Sequence, residues 1–198
     1  MAFKSDQNNG LQILNSKRLV DTFLKVENTT LRFRKYDNTW SKALDRIVIR
    51  KSSSVGVLLY HVDRKRIILI EQFRYPTWED DGGWIVEIVA GNIDDDASAE
   101  DTVRREVLEE TGYRIAQFTP IGQGYSSPGI NTEKVYLYFA EVDDTMKVQR
   151  EGGLAEEGED IKIVEWTIPQ VKEKILTHSI LDLKTLCALQ WFVMNKVS

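Results

Sequence analysis

Gly91-Asn-Ile-Asp-Asp-Asp-Ala-Ser-Ala-Glu-Asp-Thr-Val-Arg-Arg-Glu-Val-Leu-Glu-Glu-Thr-Gly-Tyr113 carries three acids at helical spacing. Glu106, Glu109 and Glu110 fall within an arc of roughly 100° on one helix face. Like charges three and four residues apart each cost about 0.2–0.5 kcal/mol in an isolated helix, so something cationic should compensate them. Arg105 stands four residues before Glu109 and answers only part of the cluster. A divalent metal answers it better. Oxygen ligands, with no Cys or His in the segment, favour Mg²⁺ or Mn²⁺ over Zn²⁺. Ser98 is a candidate N-cap, Asp101 lies near the N-terminal dipole, and Gly112 closes the far end, so the pattern predicts a helix over 99–111. The preceding apolar run, residues 84–90, predicts a strand. The segment is therefore strand, glycine loop, helix, and the backbone at Ala90 and Gly91 can approach a metal or a phosphate closely.

Upstream, residues 1–53 form a region of their own, with strand-like runs at 23–27, 30–34 and 45–50 that predict a small antiparallel sheet. Residues 54–198 form the second region. It opens on a buried hairpin, 55–60 and 66–73, turning at 61–65. After the acidic helix come strands at 113–118, 133–140 and 161–166, then helices at 168–177 and 182–195. This order predicts an α+β sandwich in which helices cover a mixed sheet.

The chain has 198 residues, 42% of them hydrophobic, and a formal charge of −5, which supports a sizeable core. The acidic balance and the lack of a long Lys/Arg block argue against a nucleic-acid partner, while a single nucleotide needs only one or two cations. The first residues lack an apolar signal core, and no run approaches the roughly 18 apolar residues of a membrane span, so a cytoplasmic location is expected and no membrane partner. The one cysteine, Cys187, is flanked by Leu186, Ala188 and Leu189 and is expected in the core. His61 and His178 fit no metal spacing and are expected on surface turns.

Residues 91–113 resemble the Nudix box: Gly, five residues, Glu, seven residues, then Arg-Glu-apolar-x-Glu-Glu-x-Gly-apolar. Arg105, Glu106, Val107, Glu109, Glu110, Gly112 and Tyr113 match in register, and Ala97 stands where the box has its first Glu. Asp94, Asp95, Asp96 and Glu100 are the neighbouring acids available to substitute. The resemblance implies an α/β/α sandwich and metal ligands at Glu106, Glu109, Glu110 and the Ala90 carbonyl, with Arg105 and Glu110 in the catalytic set. Beyond the box, Glu71-Gln-Phe-Arg74, Ser127-Pro-Gly129 with Glu133, and the acidic loop 153–160 are similar to nucleoside-diphosphate-sugar pyrophosphatases, especially those for ADP-ribose and GDP-mannose. That branch implies an N-terminal β-domain, a homodimer with intertwined N-terminal segments, and Phe23 near the partner's nucleobase pocket. It also implies Arg74 as a diphosphate clamp, Ser127, Gly129 and Glu133 on the substrate loop, Glu157 as general base and Glu159 as a further metal contact. Glu156 takes the base role if the loop register shifts by one.

Each outlying motif also has a plainer reading. A strand-end Arg is usually a surface residue, Ser-Pro-Gly is a turn in any protein, and an acidic loop is commonly just solvated. Tyr75 and Trp78 fit a surface turn as well as base stacking. The expected reaction is metal-dependent hydrolysis of a nucleoside diphosphate sugar to a nucleoside monophosphate and a sugar phosphate, with ADP-ribose narrowly ahead of GDP-mannose. A reading of another class, a nucleotide-binding sensor that lost catalysis, is motivated by Ala97 alone. The Glu109-Glu110 pair and the acidic loop argue against it.

Overall fold

The computed structural model describes residues 10–149 and 160–197. The chain divides into two compact units, residues 1–52 with 125–134 and residues 53–124 with 135–198. The first holds an antiparallel sheet of β1 (Leu11–Asp21), β2 (Lys25–Phe33) and β3 (Leu44–Arg50), in that order. Strand β1 was hidden from pattern reading because irregularities at Ile13/Asn15 and Arg18/Val20 break its alternation. The two runs expected at 23–27 and 30–34 belong largely to the single strand β2. Asn28 and Thr29 between them pair with Lys17 and Ser16 on one side and with Ile47 and Arg46 on the other. Glu27 is buried in this sheet between Arg50 and Arg18, at 2.9 and 3.0 Å; the hydrogen bond from Arg50 chiefly holds its carboxyl below the usual range, against the opposing effect of burial.

The second unit is built on a seven-stranded mixed sheet. Its main path runs β10 (Lys162–Thr167), β5 (Arg66–Phe73), β4 (Ser54–His61), β9 (Lys134–Val142), β8 (Thr119–Tyr125), while β6 (Trp84–Glu87) pairs with β5 and β7 (Val89–Asn92) with β4. Strands β4 and β9 are parallel; β4 is antiparallel to β5 and β7, and β5 to β6 and β10. Alternation sends Val55, Val57, Leu59, Ile68 and Ile70 to one face, where Val103 and Val107 of α2 (Ala99–Thr111) cover them. Leu58, Ile67 and Leu69 face the other way, under Val171 of α3 (Ile168–Leu176) and Ala188, Leu189 and Phe192 of α4 (Leu183–Lys196). Helices on both faces of a mixed sheet give the expected α+β sandwich. Complete burial of a Val or Leu contributes about 1.5–3 kcal/mol, which fixes α2 against the sheet.

Four expectations need correction. Residues 84–90 are not one strand: the chain changes partner from β5 to β4 at Ile88, whose backbone N–H donates to Thr185 Oγ1 at 2.8 Å. Residues 113–118 form no strand; Tyr113 and Ile115 satisfy their alternation by burial beneath α2, with only a single bridge from Tyr113 to Lys147. The strand there is β8, which Pro120, Gly122 and Gly124 disguise and which its place at the sheet edge tolerates. Cys187 is exposed, because Thr185, Ala188, Leu189 and Phe192 form the buried stripe of α4. His61 is fully buried, with Nδ1 accepting from the Arg64 N–H at 3.3 Å and Nε2 against Asp144 Oδ1 at 3.1 Å. His178 does sit on an exposed turn with positive φ. No helix among the described residues is long and apolar enough to cross a membrane.

Candidate active site

Helix α2 starts at Ser98, whose side chain accepts from the Asp101 N–H at 3.0 Å, and ends at Gly112 in the left-handed conformation with φ 73°. Its buried positions are Thr102, Val103, Glu106, Val107, Glu110 and Thr111. Two of the three acids therefore lie on the stripe that packs against the sheet. An ordinary amphipathic helix puts apolar groups there, since a buried carboxylate without compensation is expensive. Glu106 is 9% exposed and Glu110 2% exposed, while Glu109 is half-buried.

The compensation comes from strand β7 and from the helix itself. Glu110 Oε2 accepts from the Ala90 N–H at 3.3 Å. Arg105 reaches Glu106 at 2.8 Å and Glu109 at 3.0 Å, and its Nη2 lies 3.5 Å from the Asn92 carbonyl oxygen and 3.7 Å from Asp94. Burial works against the Arg105 charge, but Glu106, Glu109 and Asp94 outweigh it and raise its pKa above the ordinary value. Asp94 is thus the loop acid that approaches Arg105 where Ala97 supplies none. Glu106 fits against Gly91 so closely that a methyl group built on Gly91 would overlap the Glu106 carboxyl. Only glycine leaves that space.

These acids are not gathered into a cage: among the described residues no three of His, Cys, Asp or Glu converge as a ready cation site. The donor set suits a hard cation all the same. It is oxygen alone, it includes two carboxylates buried beside backbone groups of Ala90 and Gly91, and the glycine notch keeps one of them in place.

Arg74 follows β5 and holds Glu87 by a two-point grip, Nε to Oε1 at 3.0 Å and Nη2 to Oε2 at 3.1 Å. Glu87 is 4% exposed and also accepts from Lys184 Nζ at 2.8 Å. The sequence reading missed this pair. The available signal was a lone acid inside the apolar run 84–90. Burial pushes the Glu87 carboxyl up, but Arg74 and Lys184 prevail and hold it below its ordinary value. Its contribution to stability is thus complete above the unfolded carboxylate pKa of about 4.3 and is lost as pH falls through the lower folded value. Urea titrations between pH 7 and pH 3 should show this loss in the wild type and a flatter profile in Glu87→Gln, which is less stable at pH 7 by about 3–5 kcal/mol. Equal slopes would remove Glu87 from the acid response.

The other sequence-derived positions are scattered. Phe23, between β1 and β2, is fully exposed. Ser127, Gly129 and Glu133 belong to the first unit. There Glu133 pairs with Lys51 at 2.6 Å and accepts from Ser126 Oγ at 2.7 Å. Ser127 accepts the Ile130 and Asn131 N–H groups through its carbonyl. A side chain at Gly129 would meet nothing within 4 Å, so nothing in its surroundings demands glycine. Glu156, Glu157 and Glu159 lie outside the described residues; Asp160, next to them, is exposed.

A mixed sheet between helices, with buried acids from one helix set against a glycine on the neighbouring strand, is the arrangement expected from the resemblance of residues 91–113 to the Nudix box. The NUDIX domain model matches residues 50–178. The chain is 33% identical over 182 residues to the GDP-mannose pyrophosphatase of Cronobacter sakazakii, covering 91% of this chain and 93% of that protein. It is 32% identical over 187 residues to the GDP-mannose pyrophosphatase of Escherichia coli, covering 93% and 96%. The solved structure of an ADP compounds hydrolase shares the fold, with a TM-score of 0.70 at 18% identity over 96% of this chain and 97% of that one. The chain belongs to the Nudix hydrolase family.

Proposed function

We propose that this chain hydrolyses the diphosphate bond of a nucleoside diphosphate sugar, releasing a nucleoside monophosphate and a sugar phosphate. The observation that carries the reading is the burial of Glu106 and Glu110 on the sheet-facing stripe of α2, against Gly91 and Ala90. A diphosphate resists attack by water because its oxygens are negative. When Mg²⁺ or Mn²⁺ is bound by Glu106, Glu109, Glu110 and the Ala90 carbonyl, the chemistry it supplies is neutralisation of those oxygens and acidification of water. Arg105 keeps Glu106 and Glu109 oriented, and Arg74 grips the diphosphate with guanidinium geometry suited to it. Glu157 takes the proton from the attacking water, with Glu159 as an added metal contact; both roles rest on the resemblance. No covalent intermediate is needed.

Of the two sugars, the relatives' names favour GDP-mannose over ADP-ribose, which the sequence alone put narrowly ahead. The chain acts as a homodimer with intertwined N-terminal segments, in which Phe23 serves the nucleobase and Ser127, Gly129 and Glu133 shape the substrate loop. Charge supports the association: residues 1–52 with 125–134 carry 12 Lys and Arg against 6 Asp and Glu, and the rest of the chain 14 against 25. Two copies therefore offer each other opposite fields. The exposed apolar side chains Leu14, Leu19 and Phe23 also gain from cover.

The test is Mg²⁺-dependent hydrolysis of GDP-mannose, ADP-ribose, ADP-glucose, UDP-glucose, NADH and diadenosine polyphosphates, with products identified. The expected outcome is preferred cleavage of GDP-mannose to GMP and mannose 1-phosphate, with ADP-ribose second. Tight binding without turnover across the panel would overturn the enzyme reading and leave the sensor.

A further inference from the structure

A lysine in the first turn of a helix opposes the helix dipole, which favours acids there. Lys184 is the second residue of α4 and is only 19% exposed, so it pays that penalty in a half-dry setting. It bridges Glu87 at 2.8 Å and Asp182 at 3.0 Å. Asp182 is itself fixed as the helix cap, accepting from the Thr185 N–H at 2.9 Å and from Thr185 Oγ1. Thr185 Oγ1 in turn accepts from the Ile88 N–H. One helical turn thus holds two adjacent residues at the junction of β6 and β7, Glu87 by its carboxylate and Ile88 by its backbone.

On its other side, Glu87 holds Arg74 through Nε and Nη2. That side-on pairing fixes the plane of the guanidinium and turns the Nη1 edge away from Glu87. Glu87 alone would also cancel the Arg74 charge, and a second cation on the same carboxylate limits that cancellation. The arrangement sets both the direction and the strength of Arg74.

We propose that Lys184, acting through Glu87, is a positioning residue for Arg74 and thereby tunes the grip on the substrate diphosphate. The inference rests on Arg74 being the diphosphate clamp. Its partners span the chain, from residue 74 at the end of β5 to residue 184 at the start of α4. It therefore ties the C-terminal helix to the group that grips the substrate.

The experiment compares wild type, Lys184→Met, Lys184→Arg, Arg74→Ala and the Arg74→Ala/Lys184→Met double variant in hydrolysis of GDP-mannose and ADP-ribose, with melting temperatures recorded for all. Lys184→Met should raise KM about fivefold with kcat within about twofold, Lys184→Arg should recover most of it, and the effect should vanish in the Arg74→Ala background, because coupled residues are not additive. An equal KM change in both backgrounds, or a lower melting temperature with unchanged KM, would overturn the proposal and leave Lys184 a stabilising residue. Arg74→Ala with unchanged KM would instead fail the clamp reading, and the proposal with it. If the wild type turns over neither sugar, calorimetric affinity for GDP and ADP replaces KM as the readout in the same cycle.

Discussion

Glu110→Gln is expected to lower turnover roughly 10³-fold, which corresponds to about 4 kcal/mol of transition-state stabilisation. Glu110 is 2% exposed and reaches the Ala90 N–H, so its carboxylate is fixed in place before substrate arrives. The amide has the same shape, and its oxygen still accepts that N–H. What disappears is one negative charge beside Glu106 and Glu109. Removing it from a crowded acidic face should leave the fold intact, with a melting temperature equal to or above the wild type. Steady-state hydrolysis and thermal melting together separate the two effects. Turnover near normal would remove Glu110 from the metal set, and a collapsed melt would make the residue structural.

Gly91→Ala should cost about 10²-fold in turnover, on the scale of other lost electrostatic contacts in active sites. A Cβ at residue 91 would overlap Glu106 Oε1 and Cδ and crowd its Cγ. No such contact can exist, so the Glu106 carboxyl must leave. Residue 91 is not among the glycines with positive φ, so alanine strains no backbone there. The displaced group is the end of a side chain, and the β4–β7 ladder, in which Gly91 pairs with Val55, can persist. The variant should therefore fold, lose turnover, and need more Mg²⁺ for half-maximal rate. An unchanged Mg²⁺ requirement with normal turnover would show that Glu106 works equally well from another position, and would remove the notch from the account.

The acidic helix was legible in the sequence because every signal in it is local. Ser98, Gly112 and the spacing of Val103 and Val107 fix its ends and its face, and the structure places α2 at the residues the pattern named. The hairpin of β4 and β5 was legible for the same reason. What escaped reading depends on partners far along the chain. The break at Ile88 requires two different neighbouring strands and a hydroxyl 97 residues away. Strand β8 carries turn-forming residues that only its edge position excuses. His61 looked like a turn residue but is the last residue of β4, where Tyr113 and Asp144 close over it from distant segments. At the site, the acids themselves could be named from their spacing, whereas the grip of Arg105 on Glu106, Glu109 and Asp94, and of Glu87 on Arg74, emerged only from the packed arrangement.

The clasp between Ile88 and Thr185 also orders events in time. Domains take shape as the chain emerges from the N-terminal end, and contacts distant in sequence come late. Every residue of helix α2 and of its glycine notch has been made by residue 112. The β6–β7 junction then waits until the first turn of α4 is available to receive the Ile88 N–H and the Glu87 carboxylate. A nascent chain stopped before Lys184 would carry the whole acidic helix and still lack the fastening of Glu87 behind Arg74, which only the first turn of α4 provides.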